Sequence, residues 1–175
     1  MEILLYILIG IVVLIAVLGL IAPKSYDVSR SIDIDRPRSE VFNYVRSLQK
    51  QDEWSPWGKR DPNMKKQFEG TDCQVGAISK WQGNKEVGEG EQEITRIVDN
   101  ERIESRLRFF KPWKSESDAY MKLSDNDSRG TNFTWGFSGK NKFPMSIMML
   151  FMNMDKAVGK DFEEGLASLK EILEN

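Results

Sequence analysis

Residues Ile3 to Ala22 run for twenty positions without a charge, and fifteen of them are Ile, Leu or Val. Coiled as a helix at about 1.5 Å per residue, the run is roughly 30 Å long, the thickness of a bilayer's hydrocarbon core. A helix packed on a soluble core would keep a polar face, and this one has none. A cleavable leader has a basic start, a shorter apolar stretch and an A-x-A-like site. Here Glu2 precedes the run, and Leu20-Ile21-Ala22 leads straight into Pro23. The expectation is a single-pass transmembrane anchor over residues 1–24, with the membrane as a partner through Ile3 to Ala22. Lys24, Arg30, Arg36 and Arg38 follow the run, and basic residues beside a span favour the cytoplasmic side. The remainder, residues 25–175, is therefore expected to face the cytoplasm.

That remainder has the size of one domain. It holds all 25 basic residues and all but one of the 27 acidic ones, a balance that leaves no electrostatic footprint for nucleic acid. All five tryptophans lie there among interspersed charges, which argues for a folded globule. Cys73 is the only cysteine, so the chain holds no internal disulfide. Histidine is absent, which excludes Ser-His-Asp and Cys-His arrangements and removes the commonest metal ligand. No glycine-rich phosphate loop and no zinc spacing occurs, so neither a metal nor a cofactor is implied.

Tyr26 to Asp35 alternates as a strand, and Pro37 opens a helix of about eleven residues carrying Val41, Phe42, Val45 and Leu48. Gln51 to Trp57 reads as one short helix. Short strands then follow at Met64 to Glu69, Gly76 to Gln82, Val87 to Val98, Arg102 to Phe110, Ser117 to Leu123 and Thr131 to Ser138. In the last of these Thr131, Phe133, Trp135 and Phe137 share one face. From Pro144 an unbroken helix to the C-terminus is expected, with Val158, Phe162, Leu166, Leu169, Ile172 and Leu173 as its apolar stripe. The result is an α+β domain: a meandering antiparallel sheet with one apolar face, followed by a long helix.

This order resembles the START/Bet v 1-like, or SRPBCC, superfamily. The resemblance rests on the first strand leading into Arg36-Pro37-Arg38-Ser39-Glu40-Val41-Phe42, on Trp54-Ser55-Pro56-Trp57, on Val87-Gly88-Glu89-Gly90 through Ile94-Thr95, and on Gly130-Thr131 through Thr134-Trp135 to Gly139. It spans roughly Tyr26 to Leu173 and is nearest to membrane-anchored polyketide cyclase/dehydrase-like members. It implies a helix-grip fold, a curved antiparallel sheet of six or seven strands wrapped around the C-terminal helix. Between sheet and helix it implies a cavity for a lipid, sterol-like or aromatic ligand.

Five of the eight methionines fall within Met145 to Met154. Flexible, polarisable methionine suits surfaces that adapt to varied apolar shapes. Met145, Met148, Met149 and Met152 are thus a gate of the cavity, ordinary core packing, or a contact with the bilayer. Trp54 and Trp57 either rim the cavity or plug a loop. Trp81, Phe109, Met121, Phe133, Trp135 and Phe137 lie on strands, where an inward side chain serves core and cavity alike. Glu89, Glu91 and Glu93 share a strand face and are best read as solvated, with Arg102, Arg106 and Arg108 as partners across the hairpin.

The leading expectation is a membrane-anchored domain that binds a small hydrophobic ligand without transforming it. One alternative is a cyclase or dehydratase using Tyr44, Tyr120 or Glu89 as acid or base. The other is an interaction module similar to the Hsp90 co-chaperone activators. Fold alone does not separate the three.

Overall fold

The computed structural model describes residues 2–175. Helix α1 (Glu2–Ile21) is apolar and long enough to cross a membrane, and its side chains face outward almost all round. Only Leu18 and Gly19 are partly covered, and Ala22, just beyond the helix, is buried. The domain thus grips the helix by its last turn alone.

The seven strands are β1 (Ser25–Ile34), β2 (Lys65–Glu69), β3 (Ile78–Gln82), β4 (Glu89–Val98), β5 (Arg102–Lys111), β6 (Ser115–Asp125) and β7 (Thr131–Lys140). They form one antiparallel sheet in the order β1-β7-β6-β5-β4-β3-β2. β1 pairs with β7 along its whole length, from Ser25 opposite Lys140 to Ile34 opposite Thr131. The period-2 pattern decides the faces: Val28 and Ile34, Ile94, Ile103, Ala119, Met121 and Leu123, and Phe133, Trp135 and Phe137 point inward and are buried.

Three expectations about helices need correction. The first helix, α2 (Arg38–Val45), has eight residues rather than about eleven, and ends in a turn before Leu48. The segment around Trp54 forms two short helices, α3 (Gln51–Trp54) and α4 (Pro56–Arg60). Ser55 between them is extended (φ −70°, ψ 128°), the conformation that a following proline imposes, and Pro56 then takes the first helical position. The stretch after Pro144 is likewise broken, into α5 (Met145–Met148) and α6 (Met154–Glu174). Asn153 starts the long helix as its cap, its side chain accepting a hydrogen bond from the Lys156 backbone N–H at 3.0 Å.

Helix α6 lies on the inner face along β1. Phe162, Leu166, Leu169 and Leu173 are buried beneath it, whereas Ile172, expected in that stripe, is 39% exposed. Gly165 lets the helix settle: a Cβ there would lie 2.8 Å from the Trp135 ring and 3.1 Å from Pro56. Arg30 of β1 clamps the helix by donating to Asp155 at 2.7 Å and to Glu163 at 2.6 Å, and Arg60 of α4 pairs with the nearly buried Asp161. These cross-links tie α6 to α4 on one side and to the edge strand β1 of the sheet on the other.

Candidate functional site

The aromatic residues of the inner face divide into a sealed group and an open one. Trp54 and Phe133 expose nothing to solvent, and Trp135, Phe137 and Met121 stay below a tenth. Their rings interlock: Trp135 lies 4.6 Å from Trp54, 5.4 Å from Trp57 and 4.6 Å from Phe162, mostly edge to face. Edge-to-face pairs of this kind contribute about 0.5–1.5 kcal/mol each beyond their buried area. This cluster fills the inner face over β6 and β7 beneath α6, with Trp54 sealed inside it.

Toward β3 and β4 the face loosens. Trp81 and Phe109 sit in one row across the sheet with Gly90 between them, their rings 5.8 Å apart and both half-buried. Gly90 is what allows this, because a Cβ there would come within 2.6 Å of the Trp81 indole.

A cleft of about 460 Å³ opens between the start of β1 and the methionine-rich segment, lined by Tyr26, Val28, Met149, Met152 and Met154. It is an open groove rather than an enclosed cavity, though its volume is that of small-molecule sites, roughly 300–1,000 Å³. Asp27, Asn141 and Asp155 supply polar edges. Of the methionines expected here, Met149 and Met152 line the cleft; Met145 and Met148 belong to the α5 turn beside it. Met148 and Met152 are 43% and 46% exposed, so this segment is not ordinary core.

Tyr26 links the cleft to the sheet interior. Its ring lies 5.1 Å from Phe137, and its hydroxyl shares a 2.7 Å hydrogen bond with Ser117 Oγ. Burial pushes its phenol above the usual value, with the Ser117 bond opposing, so the group stays protonated at neutral pH. Tyr26 and Val28 escaped the sequence reading because both were absorbed by a strand pattern. Only the pairing of β1 with β7, more than a hundred residues away, brings them beside Met149 and Met152.

The acid and base candidates lie elsewhere. Tyr44 donates to Glu53 Oε2 at 2.5 Å, and burial, then Glu53, raises its pKa. Tyr120 donates to Asp27 Oδ1 at 2.6 Å, and Glu89 pairs with Lys111 at 2.7 Å. None of the three lines the cleft. Glu91 and Glu93 are paired across the hairpin by Arg108 alone, at 2.8 Å each, and are mostly covered rather than solvated, their side chains 15% and 28% exposed. Arg106 turns instead to Asp118 and Arg102 to Glu104. Among the described residues no group of three or more carboxylate or thiol ligands is placed to hold a metal ion.

Residues 25–174 match the family model described as polyketide cyclase / dehydrase and lipid transport. No curated protein matches the sequence. Among solved structures, a protein from Nitrosospira multiformis superposes with a TM-score of 0.61 at 18% identity, covering 85% of this chain and 96% of the other. Ara h 8.0201 gives 0.57 at 11% identity, covering 85% and 97%. Aha1 from Colwellia psychrerythraea gives 0.51 at 17% identity, covering 85% and 96%. At these identities the likeness establishes the helix-grip fold, with its curved sheet and long C-terminal helix.

Proposed function

The chain belongs to the polyketide cyclase / dehydrase and lipid transport family, and from that membership we propose that residues 25–175 bind a small hydrophobic ligand while residues 1–24 tether them to a membrane. The observation that carries this reading is the cleft between β1 and the methionine-rich segment. Its lining is mixed: Met149, Met152 and Met154 against Val28 and the Tyr26 ring supply an adaptable apolar side, and Ser25, Asp27, Asn141, Asn153 and Asp155 supply a polar side that would orient a ligand with a polar end. The Trp81 and Phe109 pair supplies a second stretch of inner face with accessible apolar surface. α1 supports the tether by length and composition, and Lys24, Arg36 and Arg38 after it favour a cytoplasmic domain.

Binding without transformation is favoured over catalysis because Tyr44 and Glu89 are engaged away from the cleft by Glu53 and Lys111, and Tyr120, though it reaches the rim residue Asp27, does not itself line the cleft. The test is native mass spectrometry of the full chain released from its own membrane. A bound apolar molecule at one per chain, lost or reduced in a Met149→Asp, Met152→Asp variant that still folds, is the expected outcome. An empty protein that takes up nothing from a broad panel of lipids and aromatic compounds would refute the reading.

A further inference from the structure

Nine large apolar side chains outside α1 are conspicuously exposed, and six of them collect at one end of the molecule. Phe143 (64%), Met148 (43%), Phe151 (81%) and Met152 (46%) belong to the segment between β7 and α6; Phe110 (40%) stands at the end of β5 and Trp113 (65%) in the β5–β6 turn. The register explains the coincidence. Ser25 is opposite Lys140, and Phe109 is opposite Ser115, so the start of β1, the end of β7 and the β5–β6 turn lie on the same rim of the sheet. With strands about 4.8 Å apart, the turn stands roughly 14 Å from β1 along that rim.

α1 leaves from the same rim. The Phe143 ring lies 3.5 Å from the point where a Cβ on Gly19 would stand, inside the last turn of the apolar helix. Asn141 fixes the exit by hydrogen bonds to the Pro23 and Lys24 carbonyls at 3.1 and 2.9 Å. A helix crossing a bilayer therefore brings Phe143 to the depth of its own end.

The charge on this rim points the same way. Lys24, Lys114, Lys140 and Lys142 form no ion pair among the described residues, whereas Glu89, Glu116 and Asp155 are each paired, with Lys111, Arg106 and Arg30; Asp27 is the exception, an exposed carboxylate that accepts from Tyr120 and meets no cation among them. Lys85 and Glu86 in the β3–β4 loop cancel. Exposed aromatics flanked by unpaired lysines are the composition that settles at the headgroup level of anionic membranes.

We propose that this rim, Phe110 to Lys114 together with Lys142 to Met152, is a second membrane contact that sits in the anionic headgroup layer and turns the cleft mouth toward the lipid. The proposal rests on α1 spanning the bilayer. It assigns the methionine-rich segment to the lipid surface, with the cleft directly behind it.

The test places single spin labels on the full chain, in a Cys73→Ser background, reconstituted in vesicles of phosphatidylcholine and phosphatidylglycerol. Labels replace Trp113, Phe151, Ile11 within α1, and Val75 on the opposite end of the sheet. The expected result is that labels at 113 and 151 are reached by oxygen and shielded from a water-soluble nickel chelate, while the label at 75 shows the reverse. Lys114→Glu with Lys142→Glu should weaken that shielding. If Ile11 is in lipid but 113 and 151 are as open to the chelate as 75, the rim contact is refuted and the tether stands. If 113 and 151 are shielded from both reagents, protein covers the rim and the proposal fails. If Ile11 itself is in water, the tether and the rim contact fall together.

Discussion

Tyr26 is a side chain that both lines the cleft and contributes to stability. Its phenol is half-buried between Phe137 and Ser117, and burial holds its pKa above that of the unfolded chain. The folded state then binds this proton more tightly. Its contribution is fully present below the unfolded value of about 10 and is lost as pH rises through the folded value. Chemical unfolding followed across that alkaline range should show falling stability, and Tyr26→Phe should remove part of the fall. At neutral pH the same variant should lose about 1 kcal/mol with the Ser117 bond. Gly90 makes a purely steric case. In Gly90→Ala the new methyl would meet the Trp81 indole at 2.6 Å and the Arg108 carbonyl at 2.5 Å, and the carbonyl, held in the β4–β5 ladder, cannot withdraw without disturbing the pairing. Overpacking of this kind costs about 1–3 kcal/mol, read as a lower unfolding midpoint together with altered Trp81 fluorescence.

At the scale of elements, the decisive event is the break between α5 and α6. Asn153→Ala removes the side-chain acceptor from the Lys156 N–H and should cost about 1 kcal/mol. The loss should be local: amides of Met154 to Val158 exchange faster, while those around Leu166 and Leu169, held by the sheet, keep their protection. The strands were legible from alternation and turn residues, because period-2 patterning is a local signal. The helix break was not, since Met145 to Met154 stays apolar at every spacing and a single asparagine within it is a weak stop. The two short helices were missed in the same way, although Ser55-Pro56 held the signal. As for the site, the methionines stood out by composition. Their apposition to Tyr26 and Val28 did not, because it depends on β1 and β7 pairing across the whole domain.

For the whole molecule, orientation matters as much as binding. The path from α1 to β1 is only Ala22 to Lys24, and Ala22 is buried while Asn141 holds the Pro23 and Lys24 carbonyls. The domain is therefore held close against the last turn of α1, with the cleft on the side where the helix departs. A flexible insert would cut that coupling without touching the fold. About ten Gly/Ser residues between Lys24 and Ser25 give an average reach of roughly 17 Å, enough to lift the rim clear of the headgroups. Such a variant should take up a water-soluble apolar probe as the parent does, because Met149, Met152 and Val28 are unchanged. On the rim contact proposed above, it should acquire a vesicle-borne fluorescent lipid more slowly, because the insert would take the cleft mouth out of the headgroup layer. Stopped-flow transfer from labelled vesicles, compared with equilibrium probe binding, separates the two quantities. Equal transfer rates in parent and insert would show that the short tether serves location alone and that the ligand reaches the cleft through water.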